Sequence, residues 1–182
     1  MKKFWLIVSL TVVLVLAFSS LVMAAETFKL GYDFSGNIKG SGSSNEERNT
    51  DPGLTLGYEF TVPQDQLEYG FGVQCQLERA VKDTGGKFYF IPVYGLLNYN
   101  FTKGGEAQPY VTARLGYNFL TANDAFKAGH DVRGGLYYGA GFGVNFSSQY
   151  QLELLYSENK GYLDGGNDII NHQVSLNVGF RF

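Results

Sequence analysis

Two histidines, one cysteine and seventeen carboxylates are the side chains of this chain that could do chemistry. His172 and Ser175 are close enough in sequence to suggest a base and a nucleophile, which must lie within hydrogen-bond reach of each other. They are three residues apart in an alternating segment, and in a strand that spacing points them to opposite faces. His130 sits beside Asp131 with no second histidine near it to complete a metal pair. Leu163-Asp164-Gly165-Gly166-Asn167-Asp168 offers oxygen ligands without the EF-hand spacing, and reads as a turn. Cys75 is alone, which excludes an internal disulfide and leaves it a small apolar side chain. These residues predict no catalytic, cofactor-binding or metal site, and the chain is not expected to be an enzyme.

Charged residues inside alternating segments carry more information. Along His172–Phe182, the apolar residues Val174, Leu176, Val178, Phe180 and Phe182 alternate with Gln173, Ser175, Asn177, Gly179 and Arg181. A period of two gives a strand one apolar and one polar face. Similar segments fall near 27–37, 53–63, 67–80, 88–101, 109–120, 135–146 and 149–159, which predicts eight strands. Near 88–101 both faces are rather apolar. There Ile91, Val93, Leu97, Tyr99 and Phe101 are set outward, leaving Phe90, Pro92, Tyr94, Asn98 and Asn100 inward. Pro92 lacks an amide hydrogen, so a bulge or local irregularity is expected there. Over all eight segments the polar faces collect Lys29, Asp33, Glu59, Glu68, Glu78, Arg114, Glu153 and Arg181.

Alternation alone does not say which face meets a core. A soluble barrel or sandwich would bury the apolar faces; a membrane barrel would turn them to lipid. The start of the chain bears on the choice. Lys2 and Lys3 precede an apolar run from Phe4 to Ala17, and Val22-Met23-Ala24 supplies small residues at a cleavage position. Residues 1–24 therefore read as a cleaved secretory signal peptide, leaving 25–182 as one domain. No cysteine follows the run to take a lipid anchor. Without Lys2 and Lys3 the mature chain has 12 basic against 17 acidic residues, net about −5, which argues against a nucleic-acid partner. The segments have the roughly 9–11 residues that a tilted membrane strand needs. Connections near 64–66, 102–108 and 147–148 are short, whereas three of the four near 38–52, 81–87, 121–134 and 160–168 are longer. That alternation fits short periplasmic turns and longer outside loops. Phe28, Phe60, Tyr99, Phe101, Phe146, Tyr150, Phe180 and Phe182 would form a girdle at the periplasmic ends. Phe34, Tyr89, Phe119, Tyr138 and Tyr156 would form the outer one.

Several stretches resemble a known family. Ile91-Pro92-Val93-Tyr94-Gly95-Leu96-Leu97-Asn98-Tyr99-Asn100-Phe101 resembles the fourth strand, Pro109 to Tyr117 the fifth, and Tyr138 to Val144 the Gly-rich sixth, of the small porin-like outer-membrane β-barrels (OmpX, OmpA-barrel and opacity type). The resemblance implies an all-β, eight-stranded antiparallel up-and-down transmembrane β-barrel in the cell outer membrane. It also implies that Val178, Phe180 and Phe182 form the terminal signal read by the barrel-assembly machinery. Lipid A deacylases, barrels of the same strand number, use a His-x-Ser pair with a carboxylate; the spacing of His172 and Ser175 departs from that pattern. The family's motifs specify fold better than function.

Inside an eight-stranded barrel there is about enough room for side chains alone. The inward charges are expected to pair, because an unpaired buried charge is very costly. Inward glycines, Gly31, Gly57, Gly72, Gly116, Gly139, Gly141 and Gly143, leave space for Arg114, Tyr94 and Tyr137 to cross the lumen. The expected role is structural or surface interaction through the loops, with residues 38–52 mobile by composition. A narrow channel for small solutes or ions is the alternative. Expected partners are outer-membrane lipid and lipopolysaccharide, the assembly machinery with periplasmic chaperones, and an extracellular ligand of the loops.

Overall fold

The computed structural model describes residues 24–182 other than 41–46, 83, 128, 148 and 165–166. The expected signal peptide thus lies almost wholly outside the described residues. Eight long antiparallel strands form a closed sheet: β1 (Ala25–Asp33), β4 (Gly53–Gln64), β5 (Leu67–Gln76), β7 (Lys87–Asn100), β8 (Ala107–Ala122), β9 (Val132–Phe146), β10 (Tyr150–Leu163) and β11 (Asn167–Arg181). Pairing of β1 with β11, from Thr27↔Arg181 to Asp33↔Ser175, closes the barrel. Closure leaves no unpaired edge within the wall, the condition for β-structure in lipid.

The polar faces turn inward. On β11, Gln173, Ser175 and Asn177 are buried while Val174, Leu176, Val178 and Phe180 are exposed. On β8, Thr112, Arg114 and Asn118 are buried while Val111, Leu115, Tyr117 and Phe119 are exposed. A soluble barrel would show the reverse. The expected girdle residues are exposed apart from Phe60, which is covered by stacking on Phe71 at 5.3 Å between ring centroids, and Tyr89 and Tyr138, which are half-buried.

The first described residues and Phe182 lie at one end, tied by the Glu26 amide donating to the Phe182 carbonyl and the reverse bond. The connections there are tight, at 65–66, 101–106 and 147–149. Lys103, 2.9 Å from Asp65, links two of these turns and holds the Asp65 carboxyl below its usual range. At the far end the connections span 34–52, 77–86, 123–131 and 164–166. The last is much shorter than the sequence suggested. Leu163 and Ile169, inward on β10 and β11, flank this connection and pack into an apolar cluster.

That cluster belongs to an upper storey that sequence periodicity does not reveal. Where β1 stops at Asp33, β2 (Asn37–Gly40) takes its seat beside β11, pairing His172↔Asn37 to Ile169↔Gly40. Strand β3 (Glu47–Asn49) pairs with β2, and a Thr50–Val81 bridge joins it to β6 (Arg79–Ala80), which pairs with β7. Within this ring Ile38, Val81, Phe88, Phe90, Leu120, Ala122 and Ile169 pack together, with Phe126 of the one-turn helix α1 (Asp124–Lys127) against them. An apolar cluster thus sits inside this end of the barrel. Residues 38–52, expected to be mobile, contribute two paired strands to its wall; 41–46 lie outside the described residues.

Pro92 does mark an irregularity. The β5–β7 ladder runs to Val73↔Val93 and stops where Pro92 would have to donate. It resumes at Arg79↔Phe88, one residue out of register. The β7–β8 ladder continues through Pro92↔Asn118 without a break.

The polar lumen as candidate functional site

Three layers of side chains fill the barrel below the cap. The central layer is built from opposite strands. Lys29 of β1 reaches Glu59 of β4 at 2.7 Å and Glu153 of β10 at 3.0 Å. Arg114 of β8 binds the same two carboxylates, at 2.8 Å to Glu59 and 2.7 Å to Glu153. Two cations and two carboxylates alternate in a ring, so no charge is left unpaired. Neutral donors reach both carboxylates as well. Tyr110 donates to Glu153 at 3.0 Å, Asn177 to Glu153 at 3.0 Å, and Tyr94 to Glu59 at 2.9 Å. The Arg114 guanidinium also lies 5.2 Å from the centre of the Tyr94 ring, within cation–π range.

Glycine makes this crowding possible at two positions. A Cβ on Gly72 would lie 2.7 Å from the Tyr94 ring, and one on Gly143 would lie 2.5 Å from the Tyr110 hydroxyl. Tyr94 and Tyr137 do cross the lumen, both buried, with ring centroids 5.2 Å apart.

Toward the terminal end, half-buried Arg181 pairs with Glu68 at 3.1 Å, and Asn100 donates to the same carboxylate at 3.2 Å. Toward the cap, Asp33 accepts from Thr55, Ser175 and Arg79. Arg79 also donates to Gln173 at 2.6 Å. Seven of the eight expected lumen charges therefore lie on the inner face: Lys29, Asp33, Glu59, Glu68, Arg114 and Glu153 are buried and Arg181 is half-buried.

Glu78, expected inside, is the exception: it is exposed and pairs with Lys87 at 3.0 Å. Strand β5 ends at Gln76, so the alternation that placed Glu78 inside no longer applies. The neighbouring Arg79 is the inward residue, at 2% exposure. Sequence parity carried past a strand's end hides it; the one-residue offset after Pro92 is what delivers it to Asp33. Tyr110 shares parity with Thr112 and Arg114, and its burial follows from the same alternation.

The other candidates are dispersed. Ser175 lies inside, bonded to Asp33, whereas His172 lies on the outer face, 2.8 Å from the Tyr156 hydroxyl. Asp164 is paired with Arg133 at 3.1 Å. Among the described residues no group of histidine, cysteine and carboxylate side chains is placed to hold a metal ion. Val178, Phe180 and Phe182 are exposed at the terminal end, with Phe180 and Phe182 rings 6.1 Å apart.

Residues 10–182 match the family described as outer membrane protein beta-barrel domain. No curated protein matches the chain. Among solved structures, Neisserial surface protein A is similar at 18% identity and a TM-score of 0.53, covering 87% of this chain and 97% of that one. The outer membrane protein AlkL is similar at 14% identity and a TM-score of 0.53, covering 87% and 89%. Ail, the attachment invasion locus protein of Yersinia pestis, is similar at 16% identity and a TM-score of 0.52, covering 87% and 99%. Identities this low speak to the fold alone.

Proposed function

We propose that this chain, which belongs to the outer membrane protein beta-barrel domain family and resides in the cell outer membrane, is a non-conducting, non-enzymatic barrel that acts through its outer surface. The observation that carries this reading is the filled lumen. The Lys29–Glu59–Arg114–Glu153 ring crosses it in the middle, and Phe88, Phe90 and Leu120 cross it again under the loops. A solute would have to break buried ion pairs and then wet an apolar plug, each costing several kcal/mol. The narrow-channel alternative would need a water path past both layers.

The non-enzymatic part of the reading rests on the outer-face histidine. In a Ser-His-Asp relay, hydroxyl and carboxylate take opposite ring nitrogens. Here the Tyr156 hydroxyl and the Glu158 carboxylate both approach Nδ1 of His172, at 2.8 and 3.2 Å.

With the termini toward the periplasm, the upper storey stands outside the cell as a rigid platform. Its loops are the expected contact for an extracellular ligand, as recognition is usually carried by loops on a fixed scaffold. Lipid and lipopolysaccharide face the apolar wall, and Val178, Phe180 and Phe182 are offered to the assembly machinery and its chaperones during insertion. Release of a small entrapped sugar from vesicles tests the reading. Vesicles carrying the barrel should leak no faster than empty ones; release that scales with protein content would overturn it.

A further inference from the structure

The outer faces of β9, β10 and β11 are apolar from the terminal end upward, through Phe142, Leu152, Val178, Leu176 and Val174, until one row in register reads Tyr138–Glu158–His172–Asn37. This row stands where the lipid-facing band gives way to the upper storey, at the height of lipid headgroups. Glu158 points outward, yet its side chain is only 8% exposed. It is covered and satisfied: Tyr138 donates to it, His172 Nδ1 lies 3.2 Å away and Lys160 Nζ 3.7 Å away. The Tyr156 ring stacks on the His172 ring with centroids 6.3 Å apart.

The arrangement sorts its groups by depth. Nδ1 of His172 faces both the Tyr156 hydroxyl and the Glu158 carboxylate, which leaves Nε2 as the ring nitrogen they do not engage. The acid is thus buried behind, while the imidazole edge and the Lys160 ammonium remain accessible at 28% and 35%. Next in the row, Asn37 donates to the exposed Glu47 carboxylate at 2.6 Å. Lysine ammonium and histidine side chains at hydrogen-bond range are what recognise a phosphate. We propose that His172 and Lys160 form a binding site for the phosphate of an outer-leaflet lipid headgroup, with Glu158 as the positioning residue behind it. The site lies outside the barrel wall and holds whether or not the lumen conducts.

Native mass spectrometry of the barrel in a neutral maltoside detergent tests it. The probes are phosphorylated lipid A, the same glycolipid without phosphate, phosphatidylglycerol and inorganic phosphate. The expected result is retention of a phosphate-bearing lipid that weakens about tenfold in His172→Gln or Lys160→Gln, as for loss of one charge-assisted hydrogen bond. Lys103→Gln, at the opposite end, should leave it unchanged. Whichever of lipid A and phosphatidylglycerol is held more tightly names the source. Equal retention by the wild type and both variants, each shown folded by heat-modifiable gel migration, would overturn the proposal. So would equal retention of the glycolipid lacking phosphate.

Discussion

Arg114 and Glu153 face each other across the lumen, with Nη2 2.7 Å from one carboxylate oxygen and 2.9 Å from the other and both side chains fully buried. The pair joins β8 to β10 over the head of β9, whose inward residues at this level are glycines. Around it Lys29 and Glu59 complete a neutral ring.

Arg114→Leu would leave Glu59 and Glu153 to share Lys29. The expected loss is about 3–5 kcal/mol, the usual effect of removing one partner of a buried ion pair. Arg114→Lys should recover part of this loss, because all the carboxylate contacts of Arg114 run through the single nitrogen Nη2, whose place one ammonium can take. Urea unfolding of the barrel in micelles reads both variants. A leucine variant as stable as the wild type would contradict the ring's structural role.

The apolar cap makes a separate prediction. Phe90→Ala removes a fully buried ring that packs on Phe88 with centroids 5.6 Å apart. It should cost about 3–5 kcal/mol, expressed at the loop end. Limited proteolysis should therefore begin within the connection 77–86 or 123–131, while the membrane wall stays protected. Cleavage at the terminal-end turns instead would place the weak point elsewhere.

Gly72→Ala tests the crowding around Tyr94. The added methyl would meet the ring at 2.7 Å and push its hydroxyl off Glu59. Overpacking of this kind costs about 1–3 kcal/mol. Gly95→Ala, whose Cβ would meet nothing nearer than 3.8 Å on the outer face of β7, should be close to neutral. Equal losses in the two would remove the steric explanation.

Phe182→Ala separates assembly from stability. Phe182 is the most exposed of the terminal aromatics, at 63%, so its loss should leave refolding into detergent unchanged. If the terminal pattern is read during insertion, the amount of barrel reaching the outer membrane in cells should fall several-fold. Fractionation with immunoblotting gives the answer, and unchanged levels would remove that role.

The wall of this barrel was legible because lipid on one side and a polar lumen on the other impose a strict period of two. Lys29, Glu59, Arg114 and Glu153 were placed on the inner face by parity alone. Which of them touch was not, since Lys29 and Glu153 are 124 residues apart and meet only when the sheet closes. Parity also failed where strands end. It carried Glu78 inside two residues after β5 had stopped, and it missed Arg79. The upper storey left almost no trace, because β2, β3 and β6 are two to four residues long and pair with distant strands. A Gly-Ser-Asn composition at 38–52 reads as loop whether or not its ends are paired. Glu158 was overlooked for a related reason: a carboxylate with outward parity fits no lipid-facing strand until the flanking Tyr138 and His172 are seen to cover it.

The central claim is that the lumen is closed, and single-channel recording tests it most directly. The barrel is refolded from residue 25, inserted in a planar bilayer, and its insertion verified by protease protection. The account predicts a silent bilayer across the accessible voltage range. Reproducible current steps would contradict it, showing that water and ions pass both the Arg114–Glu153 layer and the Phe90 cap.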